Sequence, residues 1–242
     1  MIKNYIRYAL KKIGKIFNED SEKKINDCTT FIQSSRIANF LSPLLVNFSY
    51  LPLTDAAAGP HYYAHILNDI IINNKKNIVD IGSGISTILI ARLLKINNIP
   101  ASVISIDHDR NWQNIVNNIL KRDGIDYYVS FITSPIIKSN KYTWYDKEKI
   151  VFPDNYYIDT LLVDGPIGMT SHLARLEAVP FLKKYLSSDC YTIYLHDTDR
   201  PDEKEIVRLW ATELPDAKVS AFNRYTLFSY GNKFEFYPQS RI

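Results

Sequence analysis

The stretch Asn77-Ile-Val-Asp-Ile-Gly-Ser-Gly-Ile-Ser-Thr87 limits what this chain can fold into more than any other segment does. An apolar run with Asp80 near its end gives way to Gly82 and Gly84, then to Ser86-Thr87 and the helix-compatible run Ile88 to Leu94. That order reads as strand, tight turn, helix. Glycines accept positive φ and carry no Cβ, so the backbone can press against a ligand while the following helix offers its free N–H groups. A nucleotide-like ligand suits such a turn.

Further along, the β-branched run Val103 to Ile106 ends in Asp107, followed by His108. An acid at the end of the second strand can accept both hydroxyls of a ribose, a device common to nucleoside-binding α/β folds. The plain alternative for Asp107 is a helix N-cap. A dinucleotide fold would want Gly-x-Gly-x-x-Gly, and here the third position is Thr87. Ile158 to Val163 is a second apolar run, ending Asp164-Gly165-Pro166-Ile167-Gly168, and Cys190 to Leu195 is a third, ending His196-Asp197-Thr198-Asp199-Arg200. Continuous apolar runs suit parallel strands buried on both faces. Open α/β sheets keep their chemistry at the C-terminal strand ends, where Asp107, Asp164 and Asp197 would lie.

Asp80-x-Gly82-x-Gly84-x-Ser86-Thr87 resembles the first motif of the class I S-adenosylmethionine-dependent methyltransferases, and Val163-Asp164-Gly165-Pro166-x-Gly168 resembles a branch of small O-methyltransferases. The resemblance covers roughly residues 54 to 230. It implies a Rossmann-like α/β fold: a seven-stranded mixed sheet, mostly parallel with the last strand antiparallel, and helices on both faces. It implies S-adenosylmethionine as cofactor, held by Asp80, Gly82, Gly84, Ser86, Thr87, Asp107 and His108. Asp164, His196 and Asp197 become the catalytic candidates, with His196 or Asp164 taking the acceptor's proton. In the catechol-type branch the acids after the fourth and fifth strands bind a divalent metal, so Asp164 and Asp197 are also candidate ligands for magnesium or manganese. That branch follows its second acid with Asn, where this chain has Thr198.

For the acceptor, Arg200 and Tyr145 are the candidate binding residues, Arg200 for an anionic group such as a uronate or phosphate. Methyltransferases acting on amines often carry Asn/Asp-Pro-Pro-Tyr/Phe after the fourth strand. Asp164-Gly165-Pro166-Ile167 departs from it, so the expected acceptor is a hydroxyl on a sugar, glycan or other small molecule. Two other classes compete. An NAD-dependent oxidoreductase or epimerase would usually add a Tyr-x-x-x-Lys pair, where Tyr142 is followed at that spacing by Asp146. A non-catalytic binding module on the same fold would lack the strand-end acids.

Residues 28–242 form the expected main domain, with a helical cap over 28–74 in which Tyr62, Tyr63 and His65 are candidate lining residues. Ser171 to Leu186 reads as a crossover helix, and the irregular 133–155 as a substrate-binding excursion. Gly231-Asn232 between two alternating runs signals a terminal hairpin. Cys28 and Cys190 have no metal-ligand spacing and suggest neither zinc nor a disulfide. The 17 tyrosines suffice to line a cleft or a homo-oligomer interface.

Residues 1–17 carry Lys3, Arg7, Lys11, Lys12 and Lys15 with no acid, against 24 basic and 26 acidic side chains in the remainder. With Ile2, Ile6, Leu10, Ile13 and Phe17 at helical spacing, this segment reads as a basic amphipathic helix, joined by a linker ending at residue 27. Packing on the domain and peripheral contact with an anionic membrane surface both fit it. The slightly acidic remainder argues against nucleic acid, and the cytoplasm is the expected location.

Overall fold

The computed structural model describes residues 28, 32, 34–54, 57–139 and 143–238. The basic amphipathic segment, Tyr142 and the last four residues lie outside the described residues. A helical stretch at 34–40 (α1) leads through an irregular segment to α2 (Pro60–Ile72), opened by a proline whose missing N–H costs nothing in a first turn. Then come β1 (Asn77–Ile81), α3 (Ile85–Ile96), β2 (Ser102–Asp107), α4 (Arg110–Arg122), β3 (Val129–Thr133), β4 (Ile136–Lys138) and β5 (Thr143–Tyr145). The second half holds β6 (Thr160–Val163), α5 (Ala178–Leu182), β7 (Tyr191–His196), α6 (Pro201–Glu213), β8 (Lys218–Ala221) and β9 (Tyr225–Tyr230).

Seven strands form one sheet in the order β3-β2-β1-β6-β7-β9-β8. The first five run parallel, and β9 lies antiparallel between β7 and β8. This is the Rossmann-like mixed sheet expected from the sequence. Strand alternation divides its apolar residues between two cores. Ile78, Leu162 and Tyr194 face the side of α2, α3 and α4, while Val79, Ile81, Leu161, Val163, Ile193 and Leu195 face α5 and α6 with Trp210 and Phe228. Both faces are covered, which is why the central strands read as near-continuous apolar runs. β1 feeds β2 on one side and neighbours β6 on the other, so the strand order reverses between β1 and β6. Ligands in open α/β sheets sit in the crevice at such a switch point.

The segment before α2 is fastened by a buried arginine. Arg92 on α3, fully buried, donates to the carbonyls of Leu44 (3.0 Å) and Ser49 (2.8 Å) and pairs with Asp123 at 2.7 Å. Leu44 and Leu51 thereby join the α-side core.

Two local expectations are corrected. The terminal hairpin is β8–β9; Lys233 to Tyr237 forms no strand. β9 is hydrogen-bonded along both edges, leaving no edge for a further strand, and the chain turns instead toward α2, where Asn73 Oδ1 accepts from Phe234 N (3.2 Å) and Phe236 is buried. The crossover helix shrinks to Ala178–Leu182, because Pro180 belongs in a first turn and residues 165–177 wrap over the strand ends. Among the described residues no helix is long and apolar enough to cross a membrane.

Candidate active site

At the switch point two glycine turns meet back to back. Gly82, at φ +103°, donates to Ile106 O (2.9 Å), and a Cβ placed on it would lie 3.0 Å from Gly165 N and 3.2 Å from Asp164 C. Gly165 is equally confined: its Cβ would fall 2.5 Å from the Tyr145 hydroxyl. Gly84 differs. Its φ of 175° is ordinary extended backbone, and a Cβ there would meet only Gly82 O, at 4.0 Å. The conformational reason expected for a second glycine therefore applies at Gly82 alone; at Gly84 the missing side chain leaves open space in a cavity.

That cavity, about 490 Å³, lies across the C-terminal ends of β1, β2, β6 and β7. One end is lined by Gly82, Ser83, Gly84 and Ser86 with Asp107, His108 and Trp112. The other is lined by Tyr62, Tyr145, Asp164, Arg175, Asp197, Arg200 and Arg224. The volume is in the range of small-molecule and cofactor sites.

The residues of the glycine turn divide into those facing the cavity and those behind it. Asp80 is fully buried and accepts from Ser86 Oγ (2.7 Å) and Thr87 Oγ1 (2.6 Å). Thr87, also fully buried, accepts in turn from Gly84 N (3.2 Å), closing a capping box at the start of α3. Both were expected to touch a cofactor; neither lines the cavity in this structure, and together they fix the turn's shape. Burial pushes the Asp80 carboxyl up to about 7, against the pull of the two hydroxyls. Its Oδ1 is buried without a partner among the described residues.

Asp107 accepts from Ser83 N (3.0 Å) through Oδ2 and from Asp109 N (2.9 Å) through Oδ1. The N-cap of α4 is Asp109, which accepts from Asn111 N and Trp112 N. Asp107 is thus released from capping, the alternative role its position allowed. His108 Nδ1 lies 3.0 Å from Asp107 Oδ1. Trp112, which from helical spacing alone belongs to an apolar face, donates from Nε1 to Ser83 O (2.6 Å) and walls the same end.

At the other end, Arg175 organises the acids. Its side chain is 3% exposed, and Nη2 lies 3.1 Å from both Asp164 Oδ1 and Asp197 Oδ2. Nη1 donates to His196 O (2.9 Å) and approaches Glu203 Oε1 at 3.9 Å. His196 Nδ1 reaches Asp164 Oδ1 (3.0 Å) and Asp197 Oδ1 (3.5 Å), with its ring against Tyr62 at 4.9 Å. Burial opposes charge on His196, but the two carboxylates outweigh it and raise the imidazole to about 9. Near neutral pH it is a cation. Asp197, despite burial, is held far below the usual carboxylate range by His196, Arg175 and Arg200.

Asp164, His196 and Asp197 each present a ligand atom within 4.8 Å of the others. A divalent ion nevertheless suits this donor set poorly. Asp197 already meets three guanidinium groups, from Arg175, Arg200 and Arg224. Thr198 Oγ1 accepts from Thr226 Oγ1 (3.1 Å). The buried guanidinium of Arg175 stands between the carboxylates where a bridging cation would have to sit. The spacing would admit the Mg/Mn role expected of Asp164 and Asp197, and the arginines around them compete with it.

Of the other expected residues, Tyr145 lines the cavity and is almost fully buried, delivered by the β4–β5 pair within the irregular excursion. Tyr62 and Tyr63 line it as well, and Tyr63 Oη accepts from Ala58 N (3.0 Å). His65 does not: it is fully buried, hydrogen-bonded to Tyr225 Oη (3.0 Å), and burial lowers it to about 3.

No family model matches the chain, and no curated protein does. Solved structures share its fold. The O-methyltransferase TomG from Streptomyces achromogenes, involved in tomaymycin synthesis and solved with S-adenosylmethionine, superimposes with a TM-score of 0.54 at 14% identity, over 81% of this chain and 95% of that one. An O-methyltransferase from Bacillus cereus, solved with S-adenosylhomocysteine, gives 0.53 at 13% identity over 81% and 89%. A Podospora anserina methyltransferase, also bound to S-adenosylhomocysteine, gives 0.53 at 14% over 79% and 86%.

Proposed function

We propose that this chain is an S-adenosylmethionine-dependent methyltransferase acting on a hydroxyl group of a small-molecule or glycan acceptor. The observation that carries the reading is one cavity holding both halves of the task. The Gly82–Ser86 turn with Asp107 and Trp112 forms a nucleoside-sized cradle, and Asp164 stands at the adjoining strand end. The similarity of the fold to O-methyltransferases solved with this cofactor supports the same reading.

The residues fit the cofactor by several signs. Open space at Gly84 admits a ligand against the backbone, and Asp107, fixed by two backbone N–H groups, keeps acceptor capacity for ribose hydroxyls. Tyr62 Oη, in the cavity wall, is a buried polar atom without a hydrogen-bond partner among the described residues. When bound, S-adenosylmethionine supplies an electrophilic methyl group on a sulfonium.

The chain's own part is to orient the acceptor and receive its proton, and positioning supplies much of the rate in such transfers. Asp164 is the best placed base. Its Oδ1 is pinned by His196 and Arg175, while Oδ2 accepts no hydrogen bond among the described residues and the side chain is 31% exposed at the cavity wall. His196, protonated near neutral pH, is a positioning residue that holds Asp164 and balances its charge. No step requires a metal.

The test is transfer of a labelled methyl group from S-adenosylmethionine to sugar, phenolic and lipid-linked hydroxyl acceptors, with and without chelator. Labelled product that persists under chelation is expected, with loss of at least 100-fold in Asp164→Asn. Transfer confined to amine acceptors would overturn the hydroxyl assignment.

A further inference from the structure

We infer that Arg200 and Arg224 form a clamp for an oxyanion, so that the acceptor carries a carboxylate or phosphate near the hydroxyl that is methylated. The inference rests on the methyltransferase reading for the word acceptor, but not for the anion site itself.

The two arginines come from different elements. Arg200 is the N-cap residue of α6, and Arg224 lies in the turn between β8 and β9. They converge on Asp197 from opposite sides: Arg200 Nη1 is 2.9 Å from Oδ2, and Arg224 Nη2 contacts Oδ1. The tip of Arg200 also lies against the loop after β6, where a Cβ on Gly168 would meet its Nη1 at 3.1 Å. Both side chains line the cavity beside Asp164, and both are nearly half exposed, 46% and 47%.

A guanidinium offers five N–H donors in a fixed fork that matches carboxylate and phosphate oxygens. Arg200 Nη1 meets Asp197, while Nε and Nη2 donate no hydrogen bond among the described residues. Arg224 adds only a 3.7 Å approach of Nε to the half-exposed Asp199. Asp197 cannot neutralise its neighbours. One carboxylate faces the guanidinium groups of Arg175, Arg200 and Arg224, and of these Asp164 meets only Arg175. Exposed guanidinium N–H groups beside an over-shared carboxylate, in the wall of a cavity, are the chemistry that recognises an oxyanion.

The experiment titrates the protein loaded with S-adenosylhomocysteine, using glucuronate against glucuronamide and glucose 6-phosphate against glucose. The pairs separate carboxylate from phosphate. At least one anion should bind ten-fold or more tightly than its neutral counterpart, and the preference should shrink as salt rises. Arg200→Ala and Arg224→Ala should each weaken anion binding about ten-fold while leaving S-adenosylhomocysteine affinity within two-fold, which also certifies folding. Equal binding of acid and neutral partners, no binding of either acid, or arginine variants that bind anions like the wild type would each overturn the clamp. If the nucleoside does not bind, the same titrations are run on the free protein: arginine-dependent anion binding there would uphold the clamp while the methyltransferase reading falls.

Discussion

Arg175→Ala tests whether a buried guanidinium takes the place of a metal between the strand-end acids. The side chain is 3% exposed and contacts Asp164 and Asp197 at 3.1 Å, Glu203 at 3.9 Å and the carbonyls of His196 and Pro166. Deleting one partner of a buried ionic network leaves uncompensated charge, at a cost of about 3–5 kcal/mol. Arg200 and Arg224 still reach Asp197, so the lower half of that range is expected. With a urea m-value of about 3 kcal/mol/M, a loss of about 3 kcal/mol moves the midpoint down by roughly 1 M. The vacancy between three acids should then accept a divalent ion. Mn2+ titration followed by electron paramagnetic resonance should show tight binding to the variant and none at the corresponding concentrations to the wild type. A midpoint shift below about 0.3 M by the same m-value, or equal Mn2+ binding by both proteins, would refute the assignment.

The two glycines of the turn should separate fold from ligand. Gly82→Ala forces a side chain into φ +103° against the backbone of Asp164 and Gly165 and should lower stability by about 1–3 kcal/mol. Gly84→Ala should melt like the wild type yet lose most of its affinity for S-adenosylhomocysteine, because its methyl group occupies cavity space. His196 should titrate in the folded protein with an NMR midpoint near 9. Its folded value lies above the unfolded 6.5, so its contribution, about 3 kcal/mol at most, is complete below pH 6.5 and fades as pH rises through 9. Asp164→Asn should bring that midpoint down by more than one unit; an unmoved midpoint would remove Asp164 as its partner.

What was legible in the sequence was whatever local pattern decides. The apolar runs mark buried parallel strands because helices cover both faces of the sheet. Asp107 and Asp164 fell in the cavity wall because strand ends at a switch point leave them little choice. Tertiary context decided the rest. Arg175 read as one residue of a crossover helix, and only the wrapping of 165–177 over the strand ends brings it between two acids. Arg224 carried no signal, since its place follows from which hairpin the sheet accepts. Asp80 and Thr87 looked like ligand contacts because a motif gives spacing, not which oxygen faces inward. The hydroxyls of Ser86 and Thr87, both spaced to reach Asp80, are the clue to its bracing role.

Calorimetric titration with S-adenosylmethionine and with NAD, on the wild type and on Asp107→Ala, tests the central claim most directly. S-adenosylmethionine should bind the wild type and NAD should not, with affinity falling at least ten-fold in the variant. Binding of NAD instead, or an S-adenosylmethionine affinity indifferent to Asp107, would contradict the account.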